Sequence, residues 1–240
     1  MGAFTQVTYR RAMLLASALT DFGAIFLEAQ TWSVTGRSLI VSATASFLAM
    51  DLGLIFASLL LRATSRLARF FDALVSAFVA IPAVVIGLLA LLFFSSSLFA
   101  ETRITLSLIP MITAQTLLLT PLATTLILQV LRTRDSMLGE ELQSLGAKRG
   151  QAFDVLLRET WPALLVTAVL VFARGIAEVG TVLIVGGNVA GRTQVLTTLI
   201  AEQARNGAYE TAMALALILI VLALALSLLA RYLQHRAEAA

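Results

Sequence analysis

The sequence contains no cysteine and only one histidine, His235, near its C-terminal end. The first absence excludes disulfides, cysteine-ligated zinc and iron–sulfur clusters. The second excludes a histidine-rich metal site. Charge is also scarce: Asp, Glu, Lys and Arg make up 13% of the 240 residues, about half the share usual in soluble domains. The first residues lack the short apolar core and small-residue cleavage site of a secretory signal peptide. An enzyme working inside a membrane needs a nucleophile with a base, or metal ligands. Here only an Asp51–Glu178 acid pair is available for that role, and nothing else in the sequence supports it.

Apolar residues are abundant. They reach 59% of the chain, against about 45–50% in soluble domains, and the mean hydropathy is +0.93. No soluble core of this size hides so much apolar surface, so the chain is read as an all-α polytopic membrane protein. The formal charge of +3 is modest. The basic residues are therefore assigned to membrane orientation rather than to nucleic acid.

Five spans are expected, each near the ~20 residues that cross a bilayer. They cover about 38–61, 73–94, 104–131, 163–185 and 211–230. Ahead of them, Leu14, Leu15, Ala18, Leu19, Phe22, Ile25 and Phe26 repeat at helical spacing, with Ser17, Thr20, Asp21 and Glu28 off that face. Residues 12–28 read as an amphipathic helix lying on the membrane; a short extra span is the competing reading. The domain division is then 1–37 for this segment, 38–231 for the membrane domain and 232–240 for a tail. In the first span, Ser38, Ser42, Thr44 and Ser46 mark a helix-packing face. Pro82 permits a kink in the second span.

Orientation follows the Lys/Arg bias. Arg62, Arg66, Arg69, Arg132, Arg134, Lys148, Arg149, Arg158, Arg231 and Arg236 fall on one side, against Arg10, Arg11, Arg37, Arg103, Arg192 and Arg205 on the other. The richer side is read as cytoplasmic, which puts the C-terminus and the polar stretch 132–162 there.

That stretch is the longest polar interruption in the chain. From Asp135 it suggests two short helices with a break at Gly146. Leu138, Leu142 and Leu145 share a face. Asp135, Glu140 and Glu141 start the first helix; Lys148 and Arg149 suit its dipole if it runs through the break. Two readings stand: a rigid plug for a groove in a partner, or an ordinary amphipathic loop.

Glu140-Glu141-Leu142-Gln143-Ser144-Leu145-Gly146-Ala147 resembles the E-A-A-x-x-x-G loop of ATP-binding-cassette importer permeases. The Glu and Gly match at the right spacing. The alanines are replaced, and the usual Leu-Pro close is displaced to Leu156–Pro162. Further on, Phe172–Gly180, Gly186-Gly187-Asn188 and Thr193–Thr198 resemble the molybdate/tungstate/sulfate oxyanion branch, most of all tungstate permeases. The resemblance covers about 38–231 and is specific in 140–200. It implies a type I importer permease fold and a permease homodimer forming the pore in the inner (plasma) membrane. It also implies an ATPase subunit docked on Glu140, Glu141, Leu142, Leu145, Gly146 and Ala147. An extracytoplasmic protein would deliver the anion. No cofactor is expected on this chain; ATP and Mg2+ belong to the ATPase.

Arg174 and Glu178 stand four apart inside a span, so they can meet on one face. They read either as a pore-lining pair, with Glu178 the counterion of Arg174, or as a structural bridge. Gly186-Gly187-Asn188-Val189-Ala190-Gly191-Arg192-Thr193 nearly matches a nucleotide phosphate loop. Arginine replaces the lysine and a span precedes it, so nucleotide binding is rejected. A flexible turn near an outer gate is expected instead, with Thr193, Thr197 and Thr198 as candidate anion contacts, or else a simple outer loop. Asp51 is assigned no role. An ion-coupled secondary transporter using Asp51, Arg174 and Glu178 is the alternative function, although no paired inverted repeat is visible.

Overall fold

The computed structural model describes residues 23–62, 66–99, 104–144 and 146–238. Among these residues the chain forms eight α-helices, one short 3-10 turn and no strand. The helices are α1 (Ala29–Arg62), α2 (Arg66–Phe78), α3 (Ala83–Phe94), α4 (Leu108–Ser144), α5 (Arg149–Ile176), α6 (Gly180–Gly186), α7 (Leu196–Arg205) and α8 (Tyr209–Glu238). Four of them, α1, α4, α5 and α8, are long and apolar enough to cross a bilayer. Counting α2 and α3 as one bent pair raises the number to five. Most of the expected amphipathic segment 12–28 lies outside the described residues. Its end is placed, and Ile25 is buried with Val34, Leu196, Leu199 and Leu215.

The first expected span starts too late. Helix α1 begins at Ala29, and its early hydroxyls are satisfied within it: Thr35 donates to the Thr31 carbonyl and Ser38 to that of Val34. Along α1, Val34, Ser38, Val41, Ser42, Ala45, Ser46, Ala49 and Ala57 are buried on one helical face, while Ile40, Phe47, Ile55 and Leu59 are exposed. The small face lets α4 approach closely. At Gly53 a Cβ would lie 2.9 Å from the Ala123 Cβ and 3.0 Å from the Thr124 amide nitrogen. Below this crossing, Leu119, Ala123, Ile127, Leu131, Leu156 and Val171 knit α1, α4 and α5 together.

The second span, expected at 73–94, is two helices meeting at 93°. Pro82 precedes α3 with extended backbone, φ −59° and ψ 129°. The kink allowed by proline has become a right-angle corner. The fourth span, expected at 163–185, is also broken: α5 ends at Ile176 and α6 starts at Gly180. The two breaks touch. Thr181 Oγ1 donates to the Ala83 carbonyl at 2.9 Å, and Gly87 packs against Thr181. Irregular backbone at membrane depth persists where neighbouring segments satisfy it.

The threonines of α4 need no outside partner. Thr113, Thr116, Thr120, Thr124 and Thr125 each donate to the carbonyl four residues earlier, at 2.8–2.9 Å. Pro121 sits inside the same helix. Pro110 falls in the first turn, where its missing N–H costs nothing. The helix then continues without interruption to Ser144, for 37 residues or about 55 Å. That exceeds the ~30 Å hydrocarbon layer. The two short helices expected after Asp135 are therefore the projecting ends of α4 and α5.

Candidate functional site

A polar cluster surrounds the α5–α6 break. Gly175 packs against Gln115 of α4 and Ser46 of α1, and Ser46 stands midway along α1. Gln115 is fully buried and donates from Nε2 to the Gly175 carbonyl at 2.6 Å and to Ser42 Oγ at 3.3 Å. Its Oε1 and the Ser46 hydroxyl have no hydrogen-bond partner among the described residues. Ser38, Ser42, Gln115, Gly175, Glu178 and Thr197 line a small crevice here.

Arg174 and Glu178 are brought together, as their spacing allows. Arg174 Nη1 lies 2.7 Å from Glu178 Oε2. The pair is asymmetric: the Arg174 side chain is 47% exposed and that of Glu178 is 5% exposed. Glu178 also accepts the Thr181 amide on Oε1 at 3.1 Å, inside the first turn of α6. One carboxylate thus balances both a cation and the positive end of a helix. Arg174 is left held from one side and open on the other. Asp51, on the same long α1 as Ser46, lies on an exposed face.

The Gly-Gly-Asn loop is strongly fastened, contrary to the flexible turn expected from its glycines. Gly187 and Asn188 both take positive φ, 65° and 51°. Thr193 Oγ1 donates to the Gly186 carbonyl and accepts the Val189 amide at 2.9 Å. Asn188 Nδ2 and Gln194 Nε2 both donate to Glu202 Oε2, at 2.7 and 2.8 Å. Arg37 Nε donates to the Gln194 carbonyl at 2.9 Å, and the Leu196 amide donates to Ser38 Oγ at 2.6 Å. Thr197 Oγ1 donates to the Glu178 carbonyl at 2.8 Å, tying the loop to the α5–α6 break. Thr198 Oγ1 accepts the Val195 amide at 3.0 Å and starts α7.

Thr193, Thr197 and Thr198 are buried, and each hydroxyl donates to a backbone carbonyl of the chain. Gln115, Ser38, Arg37 and Glu202 complete the cluster; of these the sequence marks Ser38 as part of a packing face and Arg37 only as an orientation charge. The available signal was a polar residue inside an apolar helix, which Gln115 carries openly.

At the opposite end, the turn between α4 and α5 contains Gly146 with φ 76°. Glu140, Glu141 and Leu142 lie in the last turns of α4, their side chains outside the described set, as is Leu145. Gly146 is exposed and Ala147 half-buried. The Lys148 amide donates to Gln151 Oε1 at 3.0 Å, which caps α5. The first helix does not run through the break. Lys148 and Arg149 thus begin the next helix, and the favourable dipole arrangement expected of them is absent.

Broken helices that meet around a polar cluster within a bundle of spans, with two long helices carrying a turn beyond it, describe a transport permease. Residues 49–239 match the family described as binding-protein-dependent transport system inner membrane component, and the chain belongs to that family. The tungstate uptake system permease protein TupB of Peptoclostridium acidaminophilum is 32% identical over 202 residues, covering 80% of this chain and 84% of that protein. The sulfate transport system permease protein CysT of Escherichia coli K12 is 29% identical over 220 residues, covering 85% and 79%. The fold is shared with a bacterial alginate ABC transporter solved in complex with an alginate pentasaccharide-bound periplasmic protein. There the TM-score is 0.69 at 19% identity, with 95% of this chain and 88% of that chain covered. The protein is accordingly an inner-membrane permease subunit of the ABC importer type.

Proposed function

We propose that the chain forms the pore of an importer for a tetrahedral oxyanion, with tungstate the favoured cargo and molybdate or sulfate the alternatives. The observation that carries this reading is Arg174: a half-exposed cation beside a helix break, level with the middle of α1. A lipid-facing arginine at that depth is costly, so Arg174 faces a lumen or another subunit. Held by Glu178, it lowers the barrier to an anion without binding it tightly. The tungstate and sulfate relatives support the oxyanion class.

The pore is completed by a second copy of the chain. The turn around Gly146, with Glu140, Glu141, Leu142, Leu145 and Ala147, docks a separate ATPase subunit that binds ATP and Mg2+. The C-terminus and this turn are cytoplasmic. A binding protein delivers the anion on the other side, against the loop 186–195. Within this chain Gly186, Gly187, Asn188, Thr193, Thr197 and Thr198 shape the outer gate by fixing its backbone.

The test is ATP hydrolysis by the complete complex in vesicles, with the binding protein loaded with tungstate, molybdate or sulfate in turn. Stimulation by tungstate above the other two is expected. Equal rates with every anion and with none would remove the oxyanion assignment.

A further inference from the structure

Helix α2 is too short to cross a bilayer by itself. It is 13 residues long, about 20 Å, and it meets α3 at a right angle. Leu67, Phe70, Phe71, Leu74 and Phe78 recur at intervals of three and four, and all are exposed. The ring centres of Phe70 and Phe71 lie 5.9 Å apart, edge to face. Arg69 and Ser76 lie on the opposite face and Arg66 at the edge of the stripe, all three exposed. Asp72 is bound to Arg132 of α4 at 2.8 Å, which fixes α2 where α4 leaves the apolar layer for its projecting end.

An aromatic stripe left open on one face, with Arg69 on the opposite face and Arg66 at the stripe's edge, matches a helix lying in the membrane interface. Chain continuity supports the same depth, since α2 follows within a few residues the end of the α1 span at Leu61. We propose that α2 is a membrane-surface helix that sinks its Leu/Phe stripe into the acyl boundary and holds anionic phospholipid headgroups with Arg66 and Arg69. Each arginine near such a surface contributes about 1 kcal/mol, or roughly five-fold in local anionic lipid. The Asp72–Arg132 ion pair then makes α2 a brace between the lipid surface and the base of the projecting turn.

The absence of native cysteine makes the test direct. Single cysteines replace Phe71, Leu74 or Ser76 in the full chain, carry a nitroxide and are reconstituted in phosphatidylcholine vesicles containing one quarter phosphatidylglycerol. Labels at 71 and 74 should collide with oxygen in preference to a water-soluble nickel chelate, and the label at 76 should show the reverse. Shielding of 71 and 74 from both reagents would overturn the proposal in favour of a protein interface. Oxygen preference at all three positions would overturn it in favour of a spanning segment. With a fluorophore at 76, quencher-bearing phosphatidylglycerol should quench more strongly than quencher-bearing phosphatidylcholine. The R66Q/R69Q variant should lose that difference. Equal quenching before substitution, or a difference unchanged after it, would refute the lipid-headgroup assignment.

Discussion

Gln115 reaches across from α4 to donate to the Gly175 carbonyl at 2.6 Å, one residue before α5 ends. This bond holds the α5–α6 break against the central helix. Arg174 immediately precedes Gly175 in the same helix. Gln115→Leu should leave the carbonyl bare in a buried site, at a cost of about 1–3 kcal/mol. Thermal unfolding in detergent should show a lowered midpoint, while Gln115→Glu should not restore it, because a carboxylate cannot donate there.

Glu178 serves Arg174 and the α6 N-terminus together, so its loss should cost more than that of Arg174. Glu178→Ala strands a cation and an amide; Arg174→Gln leaves a carboxylate still capping α6. The two changes share a partner and should not add. Unfolding midpoints of both singles and the double should show this. Arg174→Gln should additionally slow anion uptake on the order of tenfold with the complex intact, the effect of about 1.4 kcal/mol on a barrier.

Gly146 holds φ 76° in the exposed turn. Valine there strains the backbone by about 1–2 kcal/mol. Gly146→Val should weaken co-purification of the ATPase and leave membrane insertion intact. Gly146→Asn, which tolerates this region, should behave close to wild type. Equal ATPase recovery from all three would remove the docking role.

Glu202 gathers the amides of Asn188 and Gln194 onto one oxygen. Glu202→Ala should loosen the loop, seen as faster tryptic cleavage at exposed Arg192. Glu202→Gln retains an acceptor and should cleave at an intermediate rate.

The membrane class, the crossing segments and the Arg174–Glu178 pair were legible because hydropathy and helical spacing are local signals. Both broken helices were read as continuous. Apolar content does not register a corner: Pro82 and the Gly175–Gly180 interval look like ordinary tolerated residues until a second segment satisfies the freed backbone. The loop at 186–195 misled in the opposite way. Its glycines suggested motion, yet Thr193 within it, Arg37 and Ser38 on α1 and Glu202 on α7 restrain it. Those contacts are long-range and leave no periodic trace. The polar stretch after Asp135 was read as separate short helices because its composition changes there, whereas helix propensity continues to Ser144.

The central claim is ATP-driven passage of an oxyanion through a pore lined by Arg174. Uptake of labelled tungstate into vesicles bearing the chain, its ATPase and its binding protein tests it most directly. Uptake should require internal conditions that allow ATP hydrolysis, should survive collapse of proton and sodium gradients, and should fall with Arg174→Gln. Uptake that persists without ATP hydrolysis and vanishes with an ion gradient would contradict the account and favour a gradient-coupled carrier.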